Sequence, residues 1–228
     1  VILIILVDIL IFISMERSAF FLTLLSIVFI LFFTKKYKLI RLLCFTASVI
    51  VIVTLTIKNE ALKNRMFLHP IKALTQTIEK KHVLTDVHDS LYKTSFKMFE
   101  QNKILGIGPK MYRKHSRDER YQVGSSSFNT HPHNTYIQLL AETGLIGFAI
   151  FILFVVTFLF KTVLHFKNLV LKKNHLSDFS VCIMAAIFIN IWPIIPTGNF
   201  FNNWMSIVYY LPLGFYFSSL CQQEKSIN

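Results

Sequence analysis

The chain has 228 residues, 54% of them hydrophobic and 23 of them Phe, with a mean hydropathy of +0.53 and a formal net charge of +12. That composition excludes an ordinary soluble domain, and the absence of a P-loop, a G-x-G-x-x-G fingerprint and a solenoid repeat leaves nucleotide binding and repeat folds without support. In a soluble chain the positive charge would suggest nucleic acid; in a chain this apolar its distribution matters more.

Apolar runs at residues 1–13, 18–33, 42–57, 136–160, 179–195 and 200–219 predict membrane spans, so the expected class is an all-α polytopic membrane protein. Several runs fall a little short of the roughly 20 residues a bilayer needs, which flanking Lys and Tyr can make up by snorkelling or anchoring. The first residue is Val and the opening run is too short to span alone. The chain is therefore expected to be the C-terminal part of a longer protein without a signal peptide. Asp8 lies inside that opening run, where a carboxylate normally faces a protein interior or cavity.

Orientation follows from the short connections. "TKKYKLIR" (34–41) and the segment 161–178 are Lys-rich and are assigned to the cytoplasm. By alternation, 1–57 holds transmembrane helices joined near 34–41, 58–130 is a large outer loop, 131–220 is transmembrane again and 221–228 is a cytoplasmic tail. Trp192 and Trp204 flank the last outer turn, "PIIPTGNFFNNW", as interfacial anchors. The outer loop carries 14 Lys and Arg against 7 Asp and Glu. Loops this long escape the positive-inside rule, so their charge calls for another explanation. Arg17 in "MERSAFF" falls at the outer end of its run, on the same side as His133.

Within the loop, 86–101 predicts an amphipathic helix near a membrane or bundle surface, with Leu91, Tyr92, Ser95, Phe96 and Phe99 on one face. Thr85 or Asp86 can cap it, which puts His88 in the first turn. "ILGIGPKMYR" (104–113) follows as a Gly- and Pro-punctuated turn beside Lys110, Arg113 and Lys114. Cys44, Cys182 and Cys221 lie in or beside apolar runs and suggest neither disulfides nor zinc.

The most informative stretch is "SFNTHPHNTYIQLLAETGLIGF" (127–148). Pro132 suits the first position of a helix, placing His133 and Asn134 in the first turn. Gly144 and Gly147 then return to within about 40° of His133 on the helix face. Small residues there would let a neighbouring helix or a lipid chain approach, while Glu142 points the other way. The positive field of a helix start favours anions and disfavours imidazolium, so His133 should be a neutral base. A metal held by His131 and His133 is the weaker reading, because no carboxylate is close in sequence.

His133, Asn134, Gly144 and Gly147 at this spacing resemble the signature of the O-antigen ligase family. That family includes lipopolysaccharide O-antigen ligases, O-antigen polymerases and some protein O-oligosaccharyltransferases. "ILGIGPKMYR" resembles its Gly-rich periplasmic segment and "MERSAFF" its arginine at a helix start, so the resemblance runs from about Ser14 to Phe160. It implies a class C glycosyltransferase-like helix bundle in the bacterial inner membrane, with a large periplasmic loop and the active site on the periplasmic face. The donor would be a glycan on undecaprenyl pyrophosphate, and the acceptor a hydroxyl of lipid A-core, of another glycan or of a protein. In that family a loop histidine activates the acceptor and arginines bind the pyrophosphate. These roles carry over to His133 and Arg17, with Asn134, Gly144 and Gly147 supporting. Where many members have a further loop arginine this chain has His88, with Arg113 or Lys110 to supply the charge. No cofactor or metal is expected, because Lys and Arg can neutralise the leaving group. The competing class is a transporter or channel fragment with a polar pathway through His133, Glu142 and Asp8.

Overall fold

The computed structural model describes residues 2–79, 85–124, 127–173 and 176–227, which contain helices and no strand. Among the described residues two helices, α3 (Lys38–Lys58) and α8 (Thr135–Val170), are long and apolar enough to cross a membrane. The part of α8 beyond Gly144 alone, at about 1.5 Å per residue, exceeds the ~30 Å hydrocarbon core. The apolar helices α2 (Arg17–Phe33) and α9 (Asp178–Asn190) are shorter.

The chain divides into two compact units. The first comprises Val1–Lys80, Thr162–Asn190 and Pro212–Asn228. In it α1 (Ile2–Ile13) packs on α3, and α2 on α9. Past α3, Asn59 caps the short α4 (Glu60–Lys63) by accepting from the Ala61 and Leu62 amides at 3.0 and 3.2 Å. A π-turn (Asn64–Leu68) leads on to α5 (His69–Glu79). Phe12, Ile52, Leu62 and Met66 form a buried cluster with Met15, Phe20 and Leu55 against it. Asp8 is tolerated inside an apolar helix because the Ser48 hydroxyl donates to it at 3.0 Å. Asp178, at the start of α9, accepts from the amides of Lys35 and Lys36 and pairs with Arg41 at 3.7 Å. One carboxylate thus pins the basic turn 34–41.

The second unit comprises Lys81–Lys161 and Ile191–Leu211. Here α6 (Asp86–Gln101) buries Leu91, Thr94, Ser95 and Met98. Its inward face is rotated from the amphipathic stripe read in the sequence: Phe96 is exposed and Tyr92 and Phe99 are half-buried. Small Thr94 and Ser95 let the helix sit close to the core made by Met98, Tyr112, Tyr121 and Ala141. The short α7 (Tyr112–His115) follows the Gly-rich turn, and α10 (Asn203–Ile227) begins in this unit.

The decisive local feature is a break in α8. Gly144 has φ 61° and ψ −162°, a conformation reserved essentially for glycine. The break frees backbone groups, and the segment 103–108 pairs with them. Ile107 and Gly108 donate to the carbonyls of Ala141 and Glu142 at 3.0 and 2.9 Å, and Leu145 donates to Lys103 O at 2.8 Å. A Cβ on either Gly106 or Gly144 would lie under 3.0 Å from the opposing backbone. The small residues expected to admit a helix or a lipid therefore admit the chain's own Gly-rich turn. Gly147 differs: it makes room for the Thr143 side chain of its own helix.

Replacing Gly144 by Ala should therefore destabilise the protein by about 2 kcal/mol or more, since the strain and the backbone clash have no side chain to relax. Gly214→Ala, at a helical site with nothing within 4 Å of the added Cβ, should be neutral or stabilising by up to ~1 kcal/mol. Thermal unfolding of both variants in detergent checks the contrast.

Candidate active site

Helix α8 starts later than the proline suggests. Asn134 is the capping residue, its Oδ1 accepting from the amides of Tyr136 and Ile137 at 3.0 and 3.2 Å. Its Nδ2 donates to Pro193 O at 2.8 Å, so the same side chain ties the helix start to the 193–203 loop. Pro132 lies buried ahead of the cap, and His133 precedes Asn134 with φ 58°. His133 is thus outside the helix, contrary to the expectation from Pro132. A side chain that can accept two orphan amides defines the start better than a ring that merely lacks one. The left-handed backbone of His133 costs of order 1–2 kcal/mol. Thr197 N, which donates to His133 O at 2.9 Å, helps hold it there.

Three imidazoles meet here. The His131 and His133 ring centroids are 4.2 Å apart, and His88 of α6 stands edge-on to His133 at 6.2 Å. Tyr92, one turn along α6, lies 6.0 Å from His88. The protonation of His131 follows from its neighbours. Nε2 is 3.1 Å from Thr197 O, which only accepts, so Nε2 carries the hydrogen. Nδ1 is then the acceptor for the Thr130 hydroxyl at 2.9 Å. Burial holds the His131 pKa below the ordinary imidazole value, partly opposed by the Thr197 carbonyl. His133 is also held low, first by burial and then by repulsion from His131 and His88. A disfavoured imidazolium was expected from the helix field and nearby cations; the causes that lower the His133 pKa are burial and the neighbouring imidazoles. Burial likewise raises the Tyr92 hydroxyl, with the Asn134 side chain opposing. His88 Nδ1 is buried without a hydrogen-bond partner.

Beside the histidines the Gly-rich turn presents its cations. Lys110, in the left-handed region at φ 63°, donates from Nζ to Asn203 Oδ1 at 3.0 Å. Lys110 and Arg113 line a cavity of about 620 Å³ together with Thr130, His131, Asn199 and Asn202. A second cavity of about 420 Å³ is lined by Lys110, Arg113, Lys114 and Arg117, with no carboxylate among them. These four cations share the lining of that one cavity, while Tyr112 and Ser116 turn inward. Such a surface suits a polyanion.

Glu142 anchors the scaffold beneath. Fully buried, it accepts from Tyr112 N at 2.7 Å and from Gln138 Nε2 at 3.0 Å. Gln138 Nε2 also donates to Asn199 Oδ1 at 2.8 Å, and Gln138 Oε1 accepts from Phe200 N. The polar partners of Glu142 are thus the Gly-rich turn and its own helix. Tyr112, packed over this network, has its hydroxyl pKa pushed up to about 12, chiefly by burial.

The structure brings together His88, His131, His133 and Asn134, and puts Lys110 and Arg113 in one cavity with His131. Arg17 is the exposed first residue of α2 and belongs to the first unit. Sequence reasoning missed Asn129, Tyr92, Thr197 and Asn199. Only the amide and hydroxyl content of "SFNT" and "PTGN" hinted at the last two and at Asn129; Tyr92 at i+4 from His88 was read as apolar packing. Among the described residues no group of three or more His, Cys, Asp or Glu is arranged to hold a metal ion.

A family model described as O-antigen ligase matches residues 1–152. No curated protein and no solved structure matches the chain.

The depressed histidines make stability pH-dependent with a definite sign. Their pKa values are lower folded than unfolded, so the unfolded chain takes up protons first. Their contribution is complete above the unfolded value of about 6.5 and is lost as pH falls below it. Melting in detergent should drop between pH 6.5 and 5, and the His131→Gln/His133→Gln double variant should show a flatter profile.

Proposed function

The chain belongs to the O-antigen ligase family, and on that premise we propose that it transfers a glycan from undecaprenyl pyrophosphate to an acceptor hydroxyl, with His133 as general base. The reaction takes place on the periplasmic face of a bacterial inner membrane. The acceptor hydroxyl belongs to lipid A-core, to a second glycan repeat or to a protein, and the same step serves all three.

One observation carries the reading: the His133 imidazole, its pKa lowered by burial and its ring neighbours, stands next to His131, whose cavity contains Lys110 and Arg113. The acceptor O–H gives its proton to the imidazole as its oxygen attacks the anomeric carbon. The bond from that carbon to the pyrophosphate oxygen breaks, and the electron pair leaves with the pyrophosphate. Lys110 and Arg113 meet the charge that develops there, and the family resemblance assigns the same task to Arg17, so the proposed step needs no metal. Asn134 supports the base by starting α8 where it does. Gly144 supports it by seating the cationic turn, and Gly147 by accommodating Thr143. In this reading His88 faces the base and contributes to its low basicity rather than serving as the second pyrophosphate ligand.

Two measurements test this. His133→Ala should bind donor normally while single-turnover transfer falls by about 10²- to 10⁴-fold, the usual worth of a general base. Arg17→Ala, Arg113→Ala and Lys110→Ala should weaken donor binding as well as turnover, because they meet charge already present in the ground state. His131→Ala should be milder than His133→Ala. Wild-type transfer by His133→Ala would end the base assignment.

Topology is tested by labelling. In a background lacking Cys44, Cys182 and Cys221, cysteines at Lys114 and Gln122 should react with an impermeant thiol reagent from outside, and one at Lys36 should not. The opposite pattern would remove His133 from the periplasmic face.

A further inference from the structure

Asn129 makes a contact that the base assignment leaves unused. Its Nδ2 lies 3.0 Å from His133 Nε2. The amide orientation is settled by its other end, since Oδ1 accepts from Thr130 N at 2.7 Å. Turning the amide over would set its NH₂ against that N–H, donor facing donor. Nδ2 therefore donates, and Nε2 of the neutral His133 ring must accept. It follows that Nε2 bears the lone pair and Nδ1 the hydrogen.

From this geometry we infer that Asn129 is the positioning residue of the base: it holds His133 in the tautomer whose Nε2 can take a proton, disfavours the imidazolium, and yields Nε2 to the acceptor hydroxyl at turnover. The inference rests on the general-base reading of His133. Protonating Nε2 would put N–H against N–H, so the contact stabilises the neutral ring alone. The proton balance is simple: the hydroxyl displaces the amide from Nε2, its proton moves to Nε2, and its oxygen forms the new glycosidic bond.

Asn129 itself is well held. Its backbone oxygen accepts from the Ser116 hydroxyl at 3.0 Å, and Ser116 is buried at the end of α7. The cationic turn and the base are thus linked by one short path from Ser116 through Asn129 to His133. The other titratable groups facing His133 are His131 on its own loop and His88 on α6, with Tyr92 behind His88. The loop 191–202 contributes Thr197, which does not titrate.

The test is the pH profile of single-turnover transfer by the full-length protein in membranes, for wild type, Asn129→Asp and Asn129→Ala. In Asn129→Asp a carboxylate faces Nε2 while its second oxygen can keep the Thr130 amide. The acid limb should move up by one pH unit or more, so that transfer at a fixed pH on the acid side of the limb falls about tenfold and recovers as pH rises. Asn129→Ala removes the opposing donor and should move the limb the same way by less. It keeps the backbone bond to Ser116, so it carries the test if the Asp variant is not recovered from membranes. Donor binding should be unchanged in both. A wild-type acid limb in the variants, whatever their plateau rates, overturns the inference, because a merely structural asparagine lowers rates without moving the limb. If His133→Ala transfers normally, the base reading itself has failed; if His133 is essential and the limb stays put, only the role of Asn129 has.

Discussion

Everything described in the second unit depends on two backbones passing within contact distance at Gly106 and Gly144. Helix α8 has to break for the turn 103–108 to pair with it, and both chains must lack a Cβ where they meet. The amides of Ile107 and Gly108 and the carbonyls of Ala141 and Glu142 satisfy one another, so the break leaves few groups unpaired in an apolar setting. The docked turn then has its direction set. Lys110 and Arg113 emerge on one side, and Tyr112 is driven into the core with Met98 and Ala141.

A buried carboxylate completes the docking. Glu142 sits about two turns from the N-terminal end of α8, within reach of Tyr112 N beyond the Gly-rich turn and Gln138 on its own helix. Gln138 in turn holds Asn199 and Phe200 of the last loop. Three segments distant in sequence are thus held by one short polar network, which only a fully satisfied set of partners makes tolerable in the interior. The same loop returns to the histidines through Thr197, which accepts from His131 Nε2 and donates its amide to His133 O. The polar groups of "PTGN" therefore act on the site as fixed dipoles.

The electrostatics of the site arise from crowding more than from any helix field. Three imidazoles share a small, half-buried volume, and each added proton would be costly to its neighbours. The cations lie on the adjacent turn, where no carboxylate lines their second cavity. An imidazole of lowered pKa, with cations nearby whose cavity no carboxylate lines, is the combination that the proposed group transfer calls for.

The sequence by itself determined the class and the ingredients. The apolar runs required helices and a membrane setting, the spacing of His133, Asn134, Gly144 and Gly147 pointed to the family, and the Lys and Arg of 110–117 were visible as a basic segment. These are properties of composition and local spacing, which need no partner to be read. Tertiary structure decided what faces what. Pro132 looked like a helix start, but Asn134 won because its side chain reaches two amides and a distant carbonyl. Gly144 looked like a smooth surface for a neighbour, yet its φ and ψ open the helix to a turn some 40 residues earlier in the chain. Phe96 looked buried by periodicity, but close packing against the core selected Thr94 and Met98 beside the expected Leu91 and Ser95. Asn129 carried no more than the hint of an amide in "SFNT". Its importance lies in which end of an amide meets Nε2, and that is fixed by the fold around Thr130 and Ser116, through contacts that a linear reading does not contain.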